Sequence, residues 1–207
     1  MNPIRVAVHG VLGKMGQEVL RMLCREEGML PVGSVDSQAQ DGFIPLPDGS
    51  GSIPISRSLD DVLGEVDVVV DFTSAEGAMS VISAALSSKV CVVVGTTGIA
   101  QEVMDEVEVL AQSHEVGIVI APNFAMGAVL LTHLTKIVAP FFEYADLTEM
   151  HHESKIDAPS GTAIAIAKAA KEGKGTPFTA PEAQKQLVLG TRGGTYDGIT
   201  IHSARMP

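Results

Sequence analysis

Along the first 120 residues, short apolar runs rich in Val and Ile alternate with longer stretches whose apolar positions recur at helical spacing. The runs are IRVAVHG, LPVGSVD, VDVVVDF, KVCVVVGT and VGIVIAP. Apolar residues at successive positions mean strands buried on both faces, as in a parallel sheet covered by helices. Amphipathic segments such as 15–26 and 101–113 lie between them. The pattern predicts an α/β fold with a Rossmann-like, doubly wound parallel sheet. Residues 37–55, rich in Gly, Pro and Ser, break the alternation and read as an exposed excursion.

Beyond Ala121 the periodicity changes. Helices are expected at 126–142 and 160–171, and strands at 146–152 and 198–204, with Ile199 and Ile201 inward and Thr200 and His202 outward. Such alternation indicates antiparallel, half-exposed strands. The second domain is therefore expected to be α+β with a mixed or antiparallel sheet, and the chain to divide into residues 1–124 and 125–207.

Composition narrows the function. Lys and Arg number 14 against 25 Asp and Glu, for a net charge of −11 over 207 residues, so the basic surface that nucleic acid requires is missing. The N-terminus lacks a signal-peptide pattern and no apolar run approaches ~18 residues, so a cytoplasmic protein with no membrane partner is expected. Cys24 and Cys91 sit among apolar residues and read as small core hydrophobes, too few for a disulfide framework or a thiolate zinc site. His9 and His133 read as structural, His114 and His202 as exposed.

In VAVHGVLGKMGQEVL, Gly10, Gly13 and Gly16 fall where the first strand turns into a helix. Glycines there let backbone approach a pyrophosphate, and the helix start supplies free N–H groups. Leu12 stands where the usual fingerprint has its second glycine. Asp36 ends strand two, 20 residues after Gly16, where a carboxylate accepts from an adenosine ribose. A carboxylate repels a 2′-phosphate and argues for NADH, while Lys14 offsets that, leaving NADH, NADPH or both as cofactor. Further loops at strand ends, Asp71-Phe72-Thr73, Gly95-Thr96-Thr97-Gly98 and Ala121-Pro122-Asn123-Phe124, suit the nicotinamide half.

EMHHESKIDAPSGTA, residues 149–163, carries the densest chemistry. Pro159 and Ser160 suit a helix start, and the N–H groups of Gly161 and Thr162 then form an anion seat. His151 and His152 point to opposite faces of a strand, so one can serve as acid or base while the other hydrogen-bonds a ligand. Lys155 adds a cation. Two histidines beside an ammonium make a poor metal site, and a dianionic substrate is the more natural occupant.

GVLGKMG, VVVDFT, VVGTTG, APNFAMG and HHESKIDAPSGTA, in that order, closely resemble the 4-hydroxy-tetrahydrodipicolinate reductase family of the diaminopimelate route to lysine. The resemblance implies an NADH- or NADPH-dependent oxidoreductase whose dinucleotide lies across Gly10, Val11, Leu12, Gly13, Lys14, Met15, Asp36, Gly95, Thr96, Thr97, Ala121, Pro122, Asn123 and Phe124. It implies a cyclic imine dicarboxylate substrate reduced at ring carbon four with loss of water. His151 would be the acid/base residue, Lys155 the proton donor, and His152, Gly161 and Thr162 the carboxylate binders. It further implies a homotetramer assembled through the second, substrate-binding domain, which closes on the first when substrate binds. Family members continue for several dozen residues past ITIHSARMP, so the second domain is expected to be incomplete in this chain. Two alternatives remain: a cofactor-binding form or sensor without turnover, and a dehydrogenase of another small molecule.

Overall fold

A computed structural model describes residues 2–96, 98–121, 123–180 and 185–207. The chain forms two compact units, Met1–Pro122 and Asn123–Pro207.

In the first unit the elements run β1 (Ile4–His9), α1 (Lys14–Leu23), β2 (Met29–Val35), β3 (Gly42–Pro45), β4 (Ser52–Ser56), β5 (Val68–Asp71), α2 (Ala75–Ser88), β6 (Cys91–Val94), α3 (Gln101–His114) and β7 (Ile118–Ile120). The sheet order is β3-β4-β2-β1-β5-β6-β7. All neighbours pair in parallel except β3 with β4. Strand alternation divides the core. Val6 and Val8 of β1 pack with Leu20 and Leu23 of α1, whereas Ala7 faces Val69, Val81 and Ile82. Chain order reverses about β1, between β2 and β5, and ligand crevices form at such a reversal.

The excursion expected at 37–55 is instead a hairpin on the sheet. Ile53 and Ile55 of β4 are buried, and β4 extends the parallel order beyond β2. Short stretches carrying glycine and proline, G-F-I-P and S-I-P-I-S, masked two strands.

The second unit contains α4 (Met126–Val138), β8 (Asp146–His152), α5 (Gly161–Lys174), β9 (Gly194–Tyr196) and β10 (Ile199–Met206), with a 3₁₀ turn at Ala139–Phe141 where the sequence suggests continued α-helix. The sheet order is β8-β10-β9. It is mixed: β9 and β10 are antiparallel, but β8 and β10 run parallel. Of the two expected forms, mixed or antiparallel, the mixed one is found: β8 and β10 run parallel because α5 carries the chain back to the same end before β10 begins, a crossover that alternation within one strand cannot reveal. Ile199 and Ile201 are buried with Ala167, Ala170 and Phe178, and Leu147 packs against them. α5 crosses α4 closely, since a Cβ added at Gly173 would stand 2.0 Å from the Lys136 carbonyl oxygen.

Among the described residues no helix is long and apolar enough to cross a membrane. Cys24 and Cys91 are half-buried rather than core. His202 is half-buried too, packed beneath Gly193.

Candidate active site

At the carboxyl ends of β1 and β5, the first unit holds a cleft of about 530 Å³ lined by Gly10, Leu12, Gly13, Asp36, Phe72 and Thr73 among others. Backbone approach there is close. Gly10 has φ +81°, and a Cβ on it would stand 2.8 Å from the Thr73 methyl; one on Gly16 would lie 2.1 Å from the Gly10 oxygen. At Gly95 the same atom would enter the Phe72 ring. These glycines let three loops converge, with the start of α1 at the cleft, so the cleft suits the pyrophosphate of a dinucleotide.

Asp36 is buried, and its two oxygens accept from the Leu12 and Gln38 N–H groups, each at 3.0 Å. It therefore fastens the glycine turn to the end of β2 while presenting its remaining lone pairs to the cleft. Lys14 and Met15 are exposed at the first turn of α1. Val11 is wholly buried in the core, so only its backbone can meet a ligand.

Asp71, fully buried, joins the loops below the cleft. It accepts from Thr73 Oγ1 at 2.7 Å and Thr96 Oγ1 at 3.0 Å, and His9 Nδ1 lies 2.7 Å from its Oδ1 without hydrogen-bond alignment. Thr96 is thus committed to the cleft's support. His9, read from sequence as structural, both contacts Asp71 and lines the cleft. Gly95 N–H donates to the Asp71 carbonyl and Ala121 N–H to that of Val94, continuing the sheet. Thr97 and Pro122 lie outside the described residues.

In the second unit, parallel register sets Ser203 opposite Glu149 and Arg205 opposite His151. The face that buries Leu147 and Ile201 thus becomes polar toward the strand ends. Glu149 Oε2 pairs with His151 Nδ1, while its Oε1 accepts from Arg205 at 3.0 Å. Burial pushes the Glu149 carboxyl up, but hydrogen bonds from Ser203, Arg205 and His151, with the Arg205 charge, outweigh it and hold it below the ordinary range. Arg205 also donates to the Asp157 carbonyl. Lys155 Nζ donates to Asp157 Oδ1 at 2.6 Å, chiefly through which the Asp157 carboxyl is lowered. His151, Glu149, Arg205, Asp157 and Lys155 therefore form one connected cluster.

His152 projects from the other side of β8, exposed, with Nδ1 2.6 Å from Ser154 Oγ. α5 follows at once: Ser160 Oγ accepts from Ala163 N–H at 3.2 Å, so the cap expected from sequence forms. Gly161 and Thr162 open the helix, where N–H groups have no partner one turn back. Thr162 Oγ1 accepts from Asn123 Nδ2 at 3.0 Å, and Asn123 Oδ1 accepts from Ala125 N–H at 2.8 Å. Asn123, expected at the nucleotide, is thus joined to a residue expected at the substrate. Phe124 follows it, half exposed.

Sequence reasoning missed Glu149 and Arg205. Glu149 was detectable, since it sits two positions before His151 and shares its face. Arg205 was not, because it reaches Glu149 only through the pairing of β10 with β8, strands far apart in the sequence.

Family models agree with this architecture. The model described as dihydrodipicolinate reductase, N-terminus, matches residues 4–124, and that of its C-terminus matches 127–207. The chain belongs to the dihydrodipicolinate reductase family. A 4-hydroxy-tetrahydrodipicolinate reductase of Dehalococcoides mccartyi is 48% identical over all of this chain and 79% of its own length. One from Moorella thermoacetica is 39% identical, over 99% of this chain and 78% of its own. A dipicolinate-bound dihydrodipicolinate reductase from Paenisporosarcina sp. TG-14 superposes with a TM-score of 0.80 at 33% identity, covering 99% of this chain and 79% of that one. Membership makes the chain an oxidoreductase whose first unit is a nucleotide-binding domain for a pyridine nucleotide.

Proposed function

We propose that this chain catalyses the reduction of 4-hydroxy-tetrahydrodipicolinate to tetrahydrodipicolinate with NADH or NADPH. The observation that carries the reading is the cluster joining His151 to Lys155 immediately before the capped start of α5. It combines two groups able to move protons with an anion seat, the set required by a ring bearing carboxylates. The dipicolinate bound to the Paenisporosarcina relative has that character.

The hydroxyl of ring carbon four leaves as water with a proton from the adjacent ring carbon five, giving a carbon–carbon double bond conjugated with the imine; a dihydronicotinamide, when bound, would supply a hydride to carbon four, and a proton taken up at carbon five completes the reduction. The Gly161 and Thr162 N–H groups and the Thr162 hydroxyl bind one carboxylate, with His152 as a further donor. Lys155 supplies positive charge and a proton as electron density develops on the ring nitrogen, and His151, through Nε2, takes up and returns protons as the acid/base group. To reach substrate, Lys155 exchanges Asp157 for the incoming dianion.

NADH is the preferred donor in this reading. Among the described residues lining the cleft are Asp36 and Glu76 but no Lys or Arg, so a 2′-phosphate finds no lining cation. Lys14, at the first turn of α1, allows NADPH as a second donor. The deciding measurement is NADH oxidation at 340 nm on addition of substrate to the whole chain (about 340 nm being the dihydronicotinamide band). His151→Gln and Lys155→Ala are each expected to lower kcat roughly 10²-fold. A chain that binds NADH yet shows no substrate-dependent oxidation refutes the reading.

The family's homotetramer has support in the sheet face away from α5. Met150 and Met206 lie exposed there on neighbouring strands, an apolar surface suited to another copy.

A further inference from the structure

The side chain of Glu149 is only 9% exposed, and both its oxygens are engaged, one by His151 Nδ1 and the other by Arg205. A buried carboxylate in contact with a histidine fixes which ring nitrogen carries the proton, because an ionised carboxylate only accepts. Nδ1 must donate, so Nε2 keeps its lone pair. Arg205 adds a second link through the Asp157 carbonyl, in the loop whose carboxylate pairs with Lys155. One guanidinium thereby connects the supports of both proton-handling side chains.

We propose that Glu149 and Arg205 are positioning residues for the reduction: Glu149 sets the tautomer and ring plane of His151, and Arg205 locks Glu149 while aligning the Lys155 loop. The role rests on the reading of His151 as the acid/base residue. A merely structural ion pair would contribute stability and leave the tautomer and turnover of a folded variant untouched.

The test uses the whole chain, ¹⁵N-labelled, at about pH 8, above the ordinary imidazole range. Long-range ¹H–¹⁵N spectra distinguish protonation at Nδ1 from Nε2, and the His151 signals are those absent from His151→Gln. The expected result is a proton on Nδ1. In Glu149→Gln, the amide oxygen goes to Arg205, which only donates, and the amide NH₂ turns to His151. Nδ1 must then accept, and the proton moves to Nε2. With this inversion, kcat falls roughly 10²-fold while KM stays within about 2-fold, the pattern of a catalytic histidine held in the wrong tautomer. Arg205→Lys keeps the charge but loses the second link, and gives a smaller loss, about 10-fold.

Protonation at Nε2 in the unmodified chain overturns the proposal without any variant. So does a folded Glu149→Gln chain with unchanged tautomer or unchanged kcat. Failure of the two readings is distinguishable, since the tautomer is read without substrate. If Glu149→Gln inverts the tautomer as expected but the unmodified chain shows no turnover, the reductase reading fails; if the unmodified chain turns over with its His151 proton on Nε2, positioning by Glu149 fails.

Discussion

Asp36 holds the Leu12 N–H that the glycine turn would otherwise offer a phosphate, so one carboxylate both shapes the turn and lines the cleft. Its removal should weaken NADH more than NADPH, because the same carboxylate disfavours a 2′-phosphate, whereas Lys14→Ala should act on NADPH only. Lys14→Ala is expected to leave the NADH dissociation constant within about 1.5-fold and to raise that of NADPH roughly 3- to 5-fold, the upper worth of one exposed charge pair; calorimetry on both nucleotides measures this. Equal binding before and after the change would remove Lys14 from phosphate recognition. Glu149 supplies a pH dependence. Its carboxyl is lowered in the folded chain, so its contribution to stability is complete above the unfolded carboxyl's range and is lost as pH falls through the folded value. Thermal melts through the acid range should therefore show a shallower decline for Glu149→Gln than for the unmodified chain.

Close approaches between elements give sharper tests than their average packing. A Cβ on Gly16 meets the Gly10 oxygen at 2.1 Å, and one on Gly173 meets the Lys136 oxygen at 2.0 Å; both obstacles are backbone. Gly16→Ala and Gly173→Ala should each destabilise their unit by roughly 2–3 kcal/mol, seen as lowered urea midpoints. Gly16→Ala should also weaken NADH binding, which Gly173→Ala should not. Gly16 was visible in the sequence because it belongs to a motif; Gly173 was not, since its reason lies in another helix. The same distinction explains what could be read beforehand. Strands β1, β2, β5, β6 and β7 of the first sheet, β8, and the Ser160 cap follow from local pattern. The hairpin at β3 and β4 is hidden by short strands bracketed by glycine and proline, and the parallel pairing of β8 with β10 depends on a partner remote in sequence, which periodicity does not encode. At the site, His151 and Lys155 stood out as residue types in a motif, but Glu149 and Arg205 acquire meaning only when β10 lies beside β8.

Larger surfaces bear on assembly. α4 has no buried residue, and Leu130, Leu131, Leu134 and Ile137 are each about half exposed. The sheet of the second unit leaves Met150 and Met206 open on its other side. If the latter face carries the homotetramer, Met150→Glu should shift the chain to a smaller species in light scattering while the folded secondary structure is retained. An unchanged mass in a folded variant would place any assembly elsewhere.

The parallel pairing of β8 with β10 also fixes an order of events. Each bonded pair joins residues 54 apart in the chain. Contacts so distant in sequence incur a large loop-closure entropy and tend to form late. During synthesis, β8 leaves the ribosome well before its partner, so the first unit has time to fold while His151 still lacks the strand that brings Arg205 to Glu149. In a refolding experiment, native fluorescence of a nucleotide bound to the first unit should therefore return before the slow amide protons of β8 become protected.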